Sequence, residues 1–181
     1  MVYVGSDDGV VYALNASTGA LLWRKATSGS VESSPAVANG VVYVGSFDSY
    51  LYALNASTGA FLWTYKTGDV IISSPAVASG IVYVGSVDSY LYALNASTGA
   101  LVWKYGRINI FQSSPAVANG VVYIGCEDHN LHAVNARTGA PLWNYTTGYL
   151  VESSPAVANG VVYVGSEDGN LYAFDLTGQL L

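Results

Sequence analysis

One unit, repeated every 40 residues, governs this chain. SSPAVANG begins at Ser33, Ser113 and Ser153, with SSPAVASG at Ser73. Trp23, Trp63, Trp103 and Trp143 keep the same interval, as do Asp8, Asp48, Asp88, Asp128 and Asp168. A fixed period of about 20–50 residues marks architectures whose unit cannot bury its apolar surface alone and must stack on its neighbours.

Within the unit the pattern is that of four short strands. SSPAVA is ended by Asn39-Gly40, a dipeptide suited to the two positive φ angles of a type I′ turn. VVYVGS follows, apolar on both faces, and ends in a turn around Asp48. LYALN leads into ASTG, and AFLWTYKTG carries the tryptophan. No helical period appears. A meander with two apolar faces is unstable alone, and radial stacking covers both faces of every sheet. The expected fold is therefore all-β, a β-propeller of four-stranded antiparallel blades. About 4.5 repeats form a single propeller over residues 1–181: 1–32 (partial), 33–72, 73–112, 113–152 and 153–181 (partial). Pro35, Pro75, Pro115 and Pro155 fall in the first strand, which makes that strand an edge, beside the central axis. Pro141 fits the outer edge by the same rule.

The strands total eighteen, which is not a multiple of four. Two closures stay open. The chain forms five blades, the first without its inner strand and the last without its outer one, or the strand at Ser153 to Ala158 completes a second chain's first sheet. The second arrangement makes a homodimer with a larger ring.

Apolar residues make up 51% of the chain, yet charges, glycines and turns interrupt every apolar run before the roughly 18 residues of a membrane span. Met1 runs straight into VYVGS without a basic flank, so no signal peptide is expected. The net charge of −6 disfavours nucleic acid and favours cationic or basic partners. Cys126 is the single cysteine, which excludes an internal disulfide and any multi-cysteine metal site. It stands in the slot of Ser6, Ser46, Ser86 and Ser166 and reads as a small packed residue.

Connections in a meander alternate between two ends, so the turn after the second strand and the loop after the fourth share one face. That face is where the units diverge, and eleven of the twelve acidic residues lie on it, Asp175 being the exception. Aromatic and arginine side chains anchor interfaces. Tyr50, Tyr90, Arg107, Phe111, Glu127, Tyr149 and Glu152 are accordingly the expected partner contacts. The periodic Asp residues are expected to cap their own turns, and Asn15, Asn55 and Asn95 to close theirs, although NAS is also a glycosylation acceptor. His129 and His132 show no metal-ligand spacing; His132 occupies the slot of Tyr52 and Tyr92 and reads as packing. Ser33-Ser34 and its copies suit a strand start better than a nucleophile. No catalytic, cofactor-binding or metal-ligating residue is assigned, and calcium across the acidic turns lacks any EF-type spacing.

ALNASTGALLW, from Ala13 to Trp23, and its copies ending at Trp63, Trp103 and Trp143 resemble the AxDxxTGxxxW signature of the pyrroloquinoline-quinone-like (PQQ-like) β-propeller repeat family. Asn15, Asn55, Asn95 and Asn135 stand where that signature has Asp, and Asp175 keeps it. The resemblance implies that the four tryptophans dock adjacent blades and that the protein resides outside the cytoplasm, in periplasm or extracellular space. The family includes quinoprotein dehydrogenases and non-catalytic propellers. A single cysteine cannot supply the adjacent-cysteine disulfide that many of the enzymes place over the quinone. The preferred reading is a non-enzymatic scaffold that needs no cofactor and binds a protein or glycan through the acidic, aromatic face. The rivals are a quinone-dependent oxidoreductase fragment and an amplified or engineered repeat array without an evolved ligand.

Overall fold

A computed structural model describes residues 1–106 and 109–181. Among them there is no helix, and eighteen strands form five antiparallel sheets, each a simple meander. The first sheet holds Val2–Gly5, Val10–Leu14 and Leu21–Ala26. The second holds Ala36–Ala38, Val41–Gly45, Tyr50–Asn55 and Phe61–Lys66, and the third Ala76–Ala78, Ile81–Gly85, Tyr90–Asn95 and Leu101–Gly106. Ala116–Ala118, Val121–Gly125, Asn130–Asn135 and Pro141–Thr146 make the fourth; Ala156–Ala158, Val161–Gly165 and Leu171–Asp175 make the fifth. All five sheets are built within one chain, with three strands in each end sheet.

The inner strands of the second to fifth sheets touch in sequence, which orders the sheets around one axis. Pro35 and its copies precede the ladder, which starts at Ala36 and its copies, so the proline lies one residue outside the strand that the pattern assigned it to. Paired serines replace the missing pairing there. The Ser33 hydroxyl accepts the Gly45 N–H at 2.8 Å, and the Ser74 hydroxyl accepts the Ser34 N–H at 2.8 Å. The second bond recurs from Ser74 to Ser114 and from Ser114 to Ser154, a ladder running around the axis.

Four apolar layers lie between consecutive sheets. In the second sheet Val42 and Val44 face the first while Tyr43, Leu51 and Ala53 face the third, which is why its second and third strands are buried on both sides. Each tryptophan sits opposite an alanine, as Trp63 does opposite Ala53, and this leaves room for the indole to reach across the layer. The Trp23, Trp63 and Trp103 indole N–H groups donate to Ala56, Ala96 and Ala136 carbonyls of the next sheet at 2.9, 2.9 and 3.0 Å. The ring lies flat on that sheet's turn glycine. At Gly59, with φ +70°, a Cβ would come within 2.7 Å of Trp23, so both backbone and space demand glycine.

The last interface is weaker. The final unit is one residue shorter, Trp143 reaches the Leu176 carbonyl at only 3.3 Å, and the buried Tyr123 hydroxyl has no partner among the described residues. In the earlier layers the matching hydroxyls of Tyr43 and Tyr83 donate to Ala96 and Ala136 at 3.0 Å. The outward faces of the end sheets stay uncovered: Val2, Val4, Tyr163 and Leu171 are exposed there, Leu171 to 76%.

Candidate functional site

The divergent face is held rigid by the periodic aspartates. Asp48 Oδ1 accepts the Tyr50 N–H at 3.0 Å and closes its own turn. Its Oδ2 accepts the Tyr52 hydroxyl at 2.6 Å and the Ser28 N–H of the preceding loop at 2.8 Å. Asp88 and Asp168 repeat this three-point grip with Gly68 and Gly148 as the loop donors. Each carboxylate thus caps a turn and also ties two sheets together. The Tyr172 hydroxyl holds the Asp168 carboxyl below the ordinary carboxylate range, as Tyr12 does for Asp8. On the opposite face Asn15, Asn55, Asn95 and Asn135 accept two N–H bonds each and close their turns. A cleft of about 570 Å³ between the third and fourth sheets opens there, lined by turn residues and Arg137.

The expected partner contacts separate into groups. Tyr149 is 50% exposed and lies 5.4 Å, ring centre to ring centre, from His129. Glu152 is exposed in the same loop, and Glu127 accepts a 2.6 Å bond from the Gln112 amide. Partial burial and the neighbouring Glu167 and Glu127 carboxylates push the Glu152 carboxyl up from its usual range. Among the described residues no Lys or Arg forms a salt bridge with this cluster. Tyr50 and Tyr90 are half-buried and covered by ammonium groups: Lys66 Nζ stands 5.8 Å from the Tyr50 ring centre and Lys104 Nζ 4.0 Å from that of Tyr90. Arg107 lies outside the described residues.

Phe111 is a correction. It is fully buried, packed against Tyr105 and His132, and cannot touch a partner. It fills the slot of Val31, Ile71 and Val151, all buried, so an apolar column at the 40-residue interval already marked it as core.

A raised carboxyl sets a pH dependence at the rim. The fold favours protonated Glu152, so that contribution is complete below the unfolded-state value and is lost as pH rises through the folded one. Glu152→Gln should therefore stabilise the protein at neutral pH and lose its advantage near about pH 4. Urea denaturation at the two pH values checks this; an advantage that grows on acidification contradicts it.

The sequence reading missed one constellation. In the fourth sheet Cys126, Asp128 and His132 bring a sulfur, a carboxylate oxygen and a ring nitrogen within 4.8 Å of one another. His132 Nε2 lies 3.0 Å from Asp128 Oδ2, and its Nδ1 lies 3.1 Å from the Tyr105 hydroxyl of the third sheet. Burial pushes the Cys126 thiol up to about 12. Burial is the largest influence on Asp128 and opposes its ionisation, but the His132 and Asn130 contacts together outweigh it and its carboxyl falls below the ordinary value. The available signal was that both departures from the repeat, Ser to Cys and Tyr to His, fall in one unit around one Asp.

The arrangement of sheets has counterparts among known proteins. BamB from Moraxella catarrhalis superimposes with a TM-score of 0.86 at 26% identity, covering 98% of this chain and 56% of that one. The quinohemoprotein alcohol dehydrogenase ADHIIG from Pseudomonas putida HK5 superimposes at 0.81 with 23% identity, covering 99% and 39%, a likeness of fold alone. Outer membrane protein assembly factor BamB of Yersinia pestis is 51% identical over 41 residues, which are 23% of this chain and 10% of that protein. The chain spans little more than half of the solved BamB. The pattern of the family described as outer membrane protein assembly factor BamB matches residues 1–107 and again 88–181, the entire chain. With its tryptophan-docked sheets and its signature repeat, this protein belongs to that family of PQQ-like β-propellers.

Proposed function

We propose that this chain is a non-enzymatic scaffold that binds a protein partner through the divergent face, at the rim formed by the fourth and fifth sheets. The observation that carries the reading is the cluster of Glu127, Glu152 and Glu167 carboxylates, close enough to raise the Glu152 carboxyl, beside the exposed Tyr149–His129 pair. Clustered carboxylates steer a basic segment to the surface, and an exposed aromatic supplies apolar anchoring area. The aspartate grips hold the loops in one geometry, which lowers the ordering cost of binding. Membership in a family described as an assembly factor supports a protein partner of the outer-membrane assembly apparatus, and with it residence outside the cytoplasm.

A peptide array of basic and aromatic segments, read in parallel with a glycan array, tests the proposal. Tyr149→Ala with Glu152→Gln should weaken the best peptide about tenfold or more, whereas Arg137→Ala on the opposite face should not. Equal binding by the rim variant, or binding to glycans alone, overturns the reading. We also propose that the uncovered end sheets associate with a second copy, because Val2, Val4, Tyr163 and Leu171 expose apolar area there. A monomeric molar mass by light scattering at all concentrations overturns that part.

A further inference from the structure

We propose that Cys126, Asp128 and His132 form a binding site for a transition-metal ion of the zinc class, buried between the third and fourth sheets. Three observations carry it independently of the partner-binding face. The first is the donor set, one thiol, one carboxylate and one imidazole, which is the mixture that suits Zn²⁺ and excludes the hard cations served by oxygen alone.

The second is geometry. Tetrahedral zinc with bonds of about 2.0–2.3 Å places its ligand atoms roughly 3.3–3.6 Å apart. Asp128 Oδ2 and His132 Nε2 are 3.0 Å apart, and all three donors lie within 4.8 Å, so shifts of an ångström or less create the cavity for the ion. Cys126 is 1% exposed and His132 4%, while the Asp128 side chain is 13% exposed and marks the side from which an ion enters and where water completes the fourth position.

The third is the support around the ligands. The Tyr105 hydroxyl bonds Nδ1 of His132 and so fixes the ring with Nε2 toward the other two donors. The His132 ring meets Phe111 edge to face at 6.0 Å, which walls the site off from the interior. In the other units the same places carry Ser and Tyr, and the hydroxyls of Ser46, Ser86 and Ser166 donate to carbonyls of the preceding loop. No such bond is made by the Cys126 thiol among the described residues. Two hydroxyls that serve structure are thus replaced, in one unit, by a sulfur and an imidazole that share one carboxylate. On binding, the thiol proton leaves to solvent and the sulfur binds as thiolate.

Cobalt(II) serves as the probe for the full chain, with Zn²⁺ as competitor. One equivalent of Co²⁺ should produce thiolate-to-cobalt charge-transfer absorption that Zn²⁺ abolishes. Cys126→Ser and His132→Tyr restore the residues of the other units, so they should fold, as circular dichroism checks. Both should weaken Zn²⁺ binding by about 100-fold or more, and Cys126→Ser should abolish the charge-transfer band. Tyr105→Phe should keep the stoichiometry and weaken affinity about 10-fold. Absence of the thiolate band with the wild-type chain overturns the proposal. So does Zn²⁺ binding that is unchanged in Cys126→Ser and His132→Tyr, which assigns the ion to the acidic rim.

Discussion

Replacing Trp103 by alanine is expected to lower the unfolding free energy by about 3–5 kcal/mol, the range for deleting a large buried aromatic side chain. Trp103 is 9% exposed, packs 5.8 Å from Tyr83, and covers Gly139 of the fourth sheet. Its removal leaves a void between two rigid sheets that cannot collapse, since the ladders on either side hold their spacing. Loss of the indole N–H bond contributes little to the total. The Ala136 carbonyl also accepts the Tyr83 hydroxyl at 3.0 Å and stays satisfied. Trp103→Phe should for that reason cost much less, about 1–2 kcal/mol. Trp143→Ala should also fall below Trp103→Ala, because that indole is less buried and its bond to Leu176 is 3.3 Å long. Guanidinium unfolding of the three variants gives the order directly, and equal losses at Trp103 and Trp143 contradict it.

The second large effect is expected at Asp88. Alanine there removes the acceptor of three donors at once: the Tyr90 N–H at 3.2 Å, the Tyr92 hydroxyl at 2.6 Å and the Gly68 N–H at 2.6 Å. Tyr92 is 5% exposed, so its hydroxyl is left buried without a partner, and the third sheet loses its tie to the loop before it. The expected loss is about 2–4 kcal/mol. Asp8 provides the internal control. It makes the turn bond and the Tyr12 bond, both exposed, and grips no preceding loop among the described residues, so Asp8→Ala should cost far less than Asp88→Ala. Denaturant midpoints compare the two. A loss at Asp8 as large as at Asp88 means that the turn cap matters more than the inter-sheet grip. Hydrogen exchange at Gly68 offers a second readout, because only the Asp88 variant should release that amide.

How the fold was legible follows from particular residues. Asn39-Gly40 announced its turn, and the structure has φ of 50° and 75° there, the left-handed pair that the dipeptide tolerates. The period placed every strand within a residue or two, except that the inner ladder begins after the proline. Aspartate capping was also visible, but only half of it. The turn bond is local and follows from spacing, whereas the grip on the preceding loop joins residues twenty apart in sequence across two sheets.

Local chemistry and periodicity were enough to specify the all-β character, the four-strand unit, the two faces and the tryptophan spacing, because each depends on residues close along the chain or on a repeating register. Two matters were decided in three dimensions. Tyr50 and Tyr90 acquired lysine covers from the adjoining outer strands. Cys126, Asp128 and His132 converged, with Tyr105 of another sheet behind them, because sheet packing sets distances between side chains that no spacing along the chain can encode.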